Sequence, residues 1–161
     1  MEVEKREVWP IRLIVKLYLP FIRNVPKYFI ILENQGDWIV FASLTSREEL
    51  KPPKSREVHR PNKYVITHES KDSFFFGSLI NYNTLLVATK EDFLKLSKAT
   101  YYGSKINSPN YLLNKKDFEN FKTEQISYFS DPRKQKRLTK VIFSLTSQTR
   151  EEWIPDYLKN N

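Results

Sequence analysis

Two near copies of one motif hold the hydroxyls and charges most able to do chemistry in this chain. "SLTSREEL" runs from Ser43 to Leu50, and "SLTSQTREEW" runs from Ser144 to Trp153. Each sets a hydroxyl residue three positions ahead of a glutamate, the pattern of a capping box that opens a helix. In the second copy Thr149 caps and Glu152 reaches back, so a final short helix accounts for it fully. The first copy, Ser46-Arg47-Glu48-Glu49, also fits a cap, but it follows directly on a strand pattern, "DWIVFASL". Thr45, Ser46 and Arg47 therefore stand together at a strand end beside a long basic segment. Two hydroxyls and a guanidinium at that place suit the oxygens of a phosphate. Groups that titrate near neutrality are limited to His59, in "VHRPNK", and His68, which ends the strand pattern "YVITH".

The elements that must position these residues are mostly strands. Val8 to Phe21 alternates Ile14, Lys16 and Tyr18 against Leu13, Val15, Leu17 and Leu19, between prolines at 10 and 20. "KYFIILEN" (27–34) and "DWIVFASL" (37–44) predict two more strands, joined at "NQGD" by a tight turn in which Gly36 takes positive φ. The segment "KPPKSREVHRPNK" (51–63) predicts an exposed loop. Strand character resumes in "YVITH" (64–68), "SFFFGSLI" (73–80) and "TLLVAT" (84–89). Thr89 then caps a short helix, "TKEDFLKLSK". Beyond it, Asn114–Phe129 and Arg133–Ser147 show helical spacing, the latter through Leu138, Val141, Ile142 and Leu145. Three consecutive phenylalanines in "SFFFG" are too many for one buried face, which suggests an interface and a homodimer.

Composition narrows the chemistry. A chain of 161 residues, 40% hydrophobic and 14% aromatic, is expected to form a single folded domain. Three glycines are too few for glycine-rich phosphate loops, and the absence of cysteine removes thiol nucleophiles and zinc–thiolate sites. The charged start "MEVEKREVWP" does not read as a signal peptide, and no apolar run approaches a membrane span, so a soluble cytoplasmic protein is expected. The formal net charge of +8 favours polyanionic partners such as nucleic acid or acidic protein tails.

Three pieces in order carry a resemblance: "VKLYLPF" ends the first strand, "PKYFIIL" forms the second, and "FASLTS" closes the third. This order resembles the PemK/MazF-like toxins of bacterial toxin–antitoxin systems, related to Kid and ToxN. The resemblance covers roughly residues 8–107 and implies a small SH3-like β-barrel; with the helical patterns beyond it, the expected fold is α+β, a barrel core over 8–110 with a helical C-terminal extension over 111–161. It also implies a toxin that is a metal-independent endoribonuclease, needs no cofactor, cleaves single-stranded RNA and is restrained by a cognate antitoxin, either an acidic protein or a repeat RNA. By position, Lys27 matches the basic residue that opens the second strand, and Thr45 and Ser46 match a Thr-Ser pair. Most members show arginine followed by proline where this chain has proline followed by lysine; the ToxN branch has lysine.

Metal-free RNA cleavage proceeds by attack of a 2′-hydroxyl on the neighbouring phosphate. It needs a proton acceptor, a proton donor for the leaving 5′-oxygen, and cations for the charge that develops on phosphorus. On this reading Lys27 and Arg47 stabilise charge, while Thr45 and Ser46 donate to the non-bridging oxygens. His68, His59 or a partly desolvated Lys27 moves the proton. Phe21, Arg23, Lys51, Lys54, Arg56, His59, Arg60 and Lys63 are expected to bind RNA as cations interleaved with planar groups. Two other readings use the same residues: a non-catalytic nucleic-acid-binding barrel, and a toxin of this fold that acts on a protein.

Overall fold

The computed structural model describes residues 9–19, 26–45, 63–97, 100–101, 104–105, 111–135, 142–144 and 155–159. The described strands are β1 (Leu13–Leu17), β2 (Lys27–Asn34), β3 (Trp38–Thr45), β4 (Lys63–Val65), β5 (Leu79–Thr89), β6 (Thr100–Tyr101), β7 (Ser104–Lys105), β8 (Tyr111–Leu112) and β9 (Ile142–Ser144). The described helices are α1 (Lys90–Ser97), α2 (Lys115–Tyr128), α3 (Pro132–Gln135) and α4 (Asp156–Lys159). The result is a mixed α+β fold built on an open, strongly curled sheet that forms a half-barrel. Its order is β4-β5-β3-β2-β1-β8, antiparallel throughout, with β9 added to β5 in parallel. β6 and β7 pair separately. None of the described helices is long and apolar enough to cross a membrane.

The central strands are buried on both faces, which explains why "YFIIL" and "IVFASL" are nearly continuous apolar runs rather than strict alternations. On one face Leu13, Val15, Leu17, Phe29, Ile31, Ile39 and Phe41 pack under Trp9 and Phe93 of α1. On the other, Ile14, Ile30, Leu32, Val40, Ala42 and Leu44 pack under Phe118, Phe121 and Phe129 of the α2 region and Leu158 of α4. The alternation expected along β1 is present: Lys16 and Tyr18 are part-exposed, with Leu17 and Leu19 buried between and beyond them. The strand is shorter than its pattern, because Arg12 takes φ 77° and interrupts the extended backbone just before Leu13.

The β2–β3 hairpin forms as expected, with Gly36 at φ 80° and the Gln35 N–H donating to the Trp38 carbonyl at 2.8 Å. Thr89 caps α1, its hydroxyl accepting from the Asp92 N–H at 3.0 Å. Asn114 caps α2 through the N–H groups of Lys116 and Asp117.

Three expectations are corrected. The strand expected over 64–68 ends at Val65, so His68 lies three residues past the strand and does not end it. "SFFFG" is not a strand: residues 71–77 form turns, in which the Ser73 hydroxyl accepts from the Phe75 N–H and Gly77 takes φ 81°. The strand starts only at Leu79 and runs unbroken into "TLLVAT". The last correction concerns the helix expected over Arg133–Ser147. Among the described residues of that stretch a helix covers Pro132–Gln135, whereas Ile142–Ser144 is a strand paired in parallel with Leu85–Val87 of β5. Helical spacing in a short apolar run does not decide against a sheet edge that offers backbone partners to β-branched residues. Leu138, Val141, Leu145 and the Thr149–Glu152 box lie outside the described residues.

Candidate functional site

Strand register assembles a polar face at one end of the sheet. Thr45, the last residue of β3, pairs with Leu79 of β5, and Leu79 pairs with Val65 of β4. On the other side of β3, Tyr28 pairs with Leu44. Continued by one residue, that pairing sets Lys27 beside Thr45, and Lys27 in turn pairs with Leu17 of β1. Directly opposed residues of an antiparallel pair share a face. Lys27 and Thr45 therefore lie on the side of Leu17, Phe29 and Phe41, where the apolar layer gives way to half-buried polar side chains.

The neighbouring row adds three groups. Lys63 pairs with Asn81, and the Asn81 amide donates to the hydroxyl of Ser43, a short contact in which Ser43 is nearly buried. Ser43 and Thr45 are two positions apart on β3 and share this face. The set is thus two ammonium groups, two hydroxyls and an amide, the donors that phosphate oxygens require. Lys27 is half-buried and is not without a partner. Among the described residues no group of three His, Asp or Glu side chains is placed to hold a metal ion.

Of the residues singled out in the sequence, Lys27, Thr45 and Lys63 lie on this face, with Lys63 three strands away from Lys27. Phe21, Arg23, Ser46, Arg47, Lys51, Lys54, Arg56, His59 and Arg60 lie outside the described residues. Ser43 and Asn81 are members that sequence reading did not single out. Ser43 was within reach, since "SLT" puts residues 43 and 45 on one side of a strand. Asn81 was not, because its place depends on the pairing of β5 with β3.

His68 has a different setting. Its side chain is exposed, and its backbone N–H donates to both carboxylate oxygens of Asp117, at 3.1 and 2.9 Å. The same carboxylate accepts from the Thr67 N–H at 3.1 Å and from the Tyr64 hydroxyl at 2.6 Å. Asp117 is fully buried in the first turn of α2, so it fixes residues 64–68 to that helix. Burial pushes the Tyr64 hydroxyl above its ordinary range, and the Asp117 carboxylate pushes it further. Nearby, Glu69 accepts from the Tyr111 hydroxyl and from the Asn114 N–H, which joins the same segment to β8 and to the α2 cap.

Comparisons with protein-family models, with curated proteins and with solved structures return no match, which leaves the register-built face as the ground for a functional reading.

Proposed function

We propose that this chain is a metal-independent endoribonuclease of the toxin type, acting on single-stranded RNA at the face that carries Lys27 and Thr45, with an SH3-like barrel of the PemK/MazF kind as its scaffold. The observation that supports it most is the placement of Lys27 beside Thr45, with Lys63 and the Ser43–Asn81 pair in the next row. In this reading a phosphate sits against the hydroxyls of Thr45 and Ser46, with Lys27 and Arg47 opposing the charge that builds on phosphorus. The 2′-hydroxyl loses its proton as its oxygen bonds to phosphorus, and the bond from phosphorus to the 5′-oxygen breaks as that oxygen gains a proton. The products are a 2′,3′-cyclic phosphate and a free 5′-hydroxyl. Lys63 and the cations of residues 46–62 hold the flanking phosphates. A cytoplasmic setting, a cognate antitoxin and a homodimer belong to the same proposal.

The test is incubation of purified protein with single-stranded RNA in EDTA. Fragments ending in a cyclic phosphate are expected. Lys27→Ala should reduce the cleavage rate at least ~100-fold, the scale of removing one transition-state donor. Undiminished cleavage by that variant would remove the assignment.

One observation favours a second reading. The described polar residues that the register puts on this face are cations, hydroxyls and an amide, while the backbone at His68 is anchored to α2. A non-catalytic binder of single-stranded nucleic acid needs no proton-transfer group. It would show salt-dependent RNA binding, with no fragments at any pH.

A further inference from the structure

Phe74 is 40% exposed, although Phe75 beside it is 6% exposed and in the core. A phenylalanine left 40% exposed forgoes a substantial part of the stabilisation that full burial of its ring would give. Its position is nonetheless fixed. The turn that carries it is closed by the Ser73 N–H donating to the Ser70 carbonyl at 2.9 Å and the Phe76 N–H to the Ser73 carbonyl at 3.2 Å. The Gly77 N–H donates to the Ile66 carbonyl at 2.8 Å, which docks the turn on the sheet. Phe74 lies 5.5 Å from the Tyr28 ring at 58° and 5.2 Å from Phe75 at 87°. Both contacts are inclined, and neither lays a ring flat on Phe74. The cluster continues inward, with Tyr28 at 5.2 Å from Phe75 and Phe75 at 4.9 Å from Tyr111.

A cation completes the arrangement. The ammonium of Lys16 sits 5.3 Å from the centre of the Tyr28 ring. Lys71 and Asp72, both exposed in the turn, offset one another in net charge. Glu69 is already engaged by Tyr111 and the Asn114 N–H. A rigid, part-exposed aromatic ring beside an ammonium, on a chain of net charge +8, is the pairing that unpaired nucleotides require: a flat surface for the base and a cation for the phosphate.

We infer that Phe74, backed by Tyr28 and flanked by Lys16, is a stacking site for one unpaired base of a bound RNA strand. The inference rests on the RNA reading above and deepens it. Lys27 and Tyr28 are consecutive on β2, so their side chains leave opposite faces at the same end of the sheet. A strand that meets both passes round that end, and the stacked base is removed from the phosphate at Lys27. Phe74 is a binding residue and not a catalytic one.

The test compares a labelled single-stranded RNA oligomer with an abasic oligomer of the same length and charge, titrated into the wild-type chain and its variants. Phe74→Ala should weaken binding of the base-bearing oligomer about tenfold and leave the abasic one unchanged. Phe74→Leu should behave like the alanine variant and Phe74→Trp like wild type, because stacking needs a ring and not merely apolar bulk. Thermal melting of each variant checks that the fold is intact. Wild-type binding that Phe74→Ala leaves unchanged, or weakens equally for both oligomers, overturns the stacking role alone. Loss of a dimer in sedimentation on Phe74→Ala, with unchanged RNA affinity per chain, would make Phe74 a self-association surface instead. A wild-type chain that binds neither oligomer removes the RNA reading and the stacking site together.

Discussion

Asp117 shows most clearly how a single side chain governs this fold. A carboxylate with no exposure is costly unless its oxygens are met, and here Tyr64, Thr67 and His68 meet them. Asp117→Ala would strand two backbone N–H groups and a phenol, and is expected to lower unfolding free energy by about 3 kcal/mol. Urea titration reads that loss directly. An effect near zero would mean that water replaces the carboxylate and that the anchor is dispensable. From sequence, Asp117 reads only as an acid in the first turn of a helix, a place that favours negative charge anyway. Lys27 and Thr45 were legible because each marks the end of a strongly patterned strand. Their adjacency follows only from carrying the Tyr28–Leu44 register of β2 and β3 one residue further.

At the scale of elements, local chemistry was a good guide wherever it was self-sufficient. The β2–β3 hairpin needs only its two apolar strands and a turn residue free to take positive φ. Gly36 meets that need at φ 80°, with nothing within 4 Å of where a Cβ would stand. Gly36→Ala therefore adds backbone strain without a clash, and should lower unfolding free energy by about 1 kcal/mol in urea titration while leaving any RNA affinity intact. A neutral result would show that the turn relaxes to another geometry. The helix cap at Thr89 was equally local. Elements that depend on distant partners were read less well. "SFFFG" has strong β-propensity, yet the serine-based turn and Gly77 win there because Phe75 must reach Tyr28 and Tyr111 in the core. Ile142–Ser144 likewise follows the edge of β5 and not its own helical period.

Across the whole molecule, the second core face is seamed by tyrosines that reach polar partners. Tyr82 donates to Glu124 and Tyr157 to Gln125, each at 2.6 Å, while Tyr64 and Tyr111 meet Asp117 and Glu69. Burial, and then neighbouring carboxylates, push the hydroxyls of Tyr64, Tyr82, Tyr111 and Tyr157 above the ordinary 10.0. Above that pH the unfolded chain releases these protons and the folded chain keeps them. The stabilisation is thus fully present below pH 10 and falls as pH rises beyond it. Urea midpoints followed from pH 7 upward should hold level and then drop steeply from about pH 10, together with the appearance of tyrosinate absorbance. Ionisation of all nine tyrosines at pH 10 with the fold intact would contradict these burials.

The sequence by itself determined the strand-rich start, the β2–β3 hairpin, helices α1 and α2, and the basic charge, because each depends on residues close in the chain. Only the tertiary structure decided that β8 and β9 join the same sheet, that Asn81 reaches Ser43, and that Lys63 enters the row beside Thr45. Those facts turn on which backbone edges remain open once the central strands have paired, and no local pattern encodes that. The two copies of "SLTS" part on the same ground. Thr45 ends a strand whose partners on either side are β2 and β5, so it stands in a shared polar face, whereas the second copy begins at Ser144, the last described residue of a short strand paired with β5.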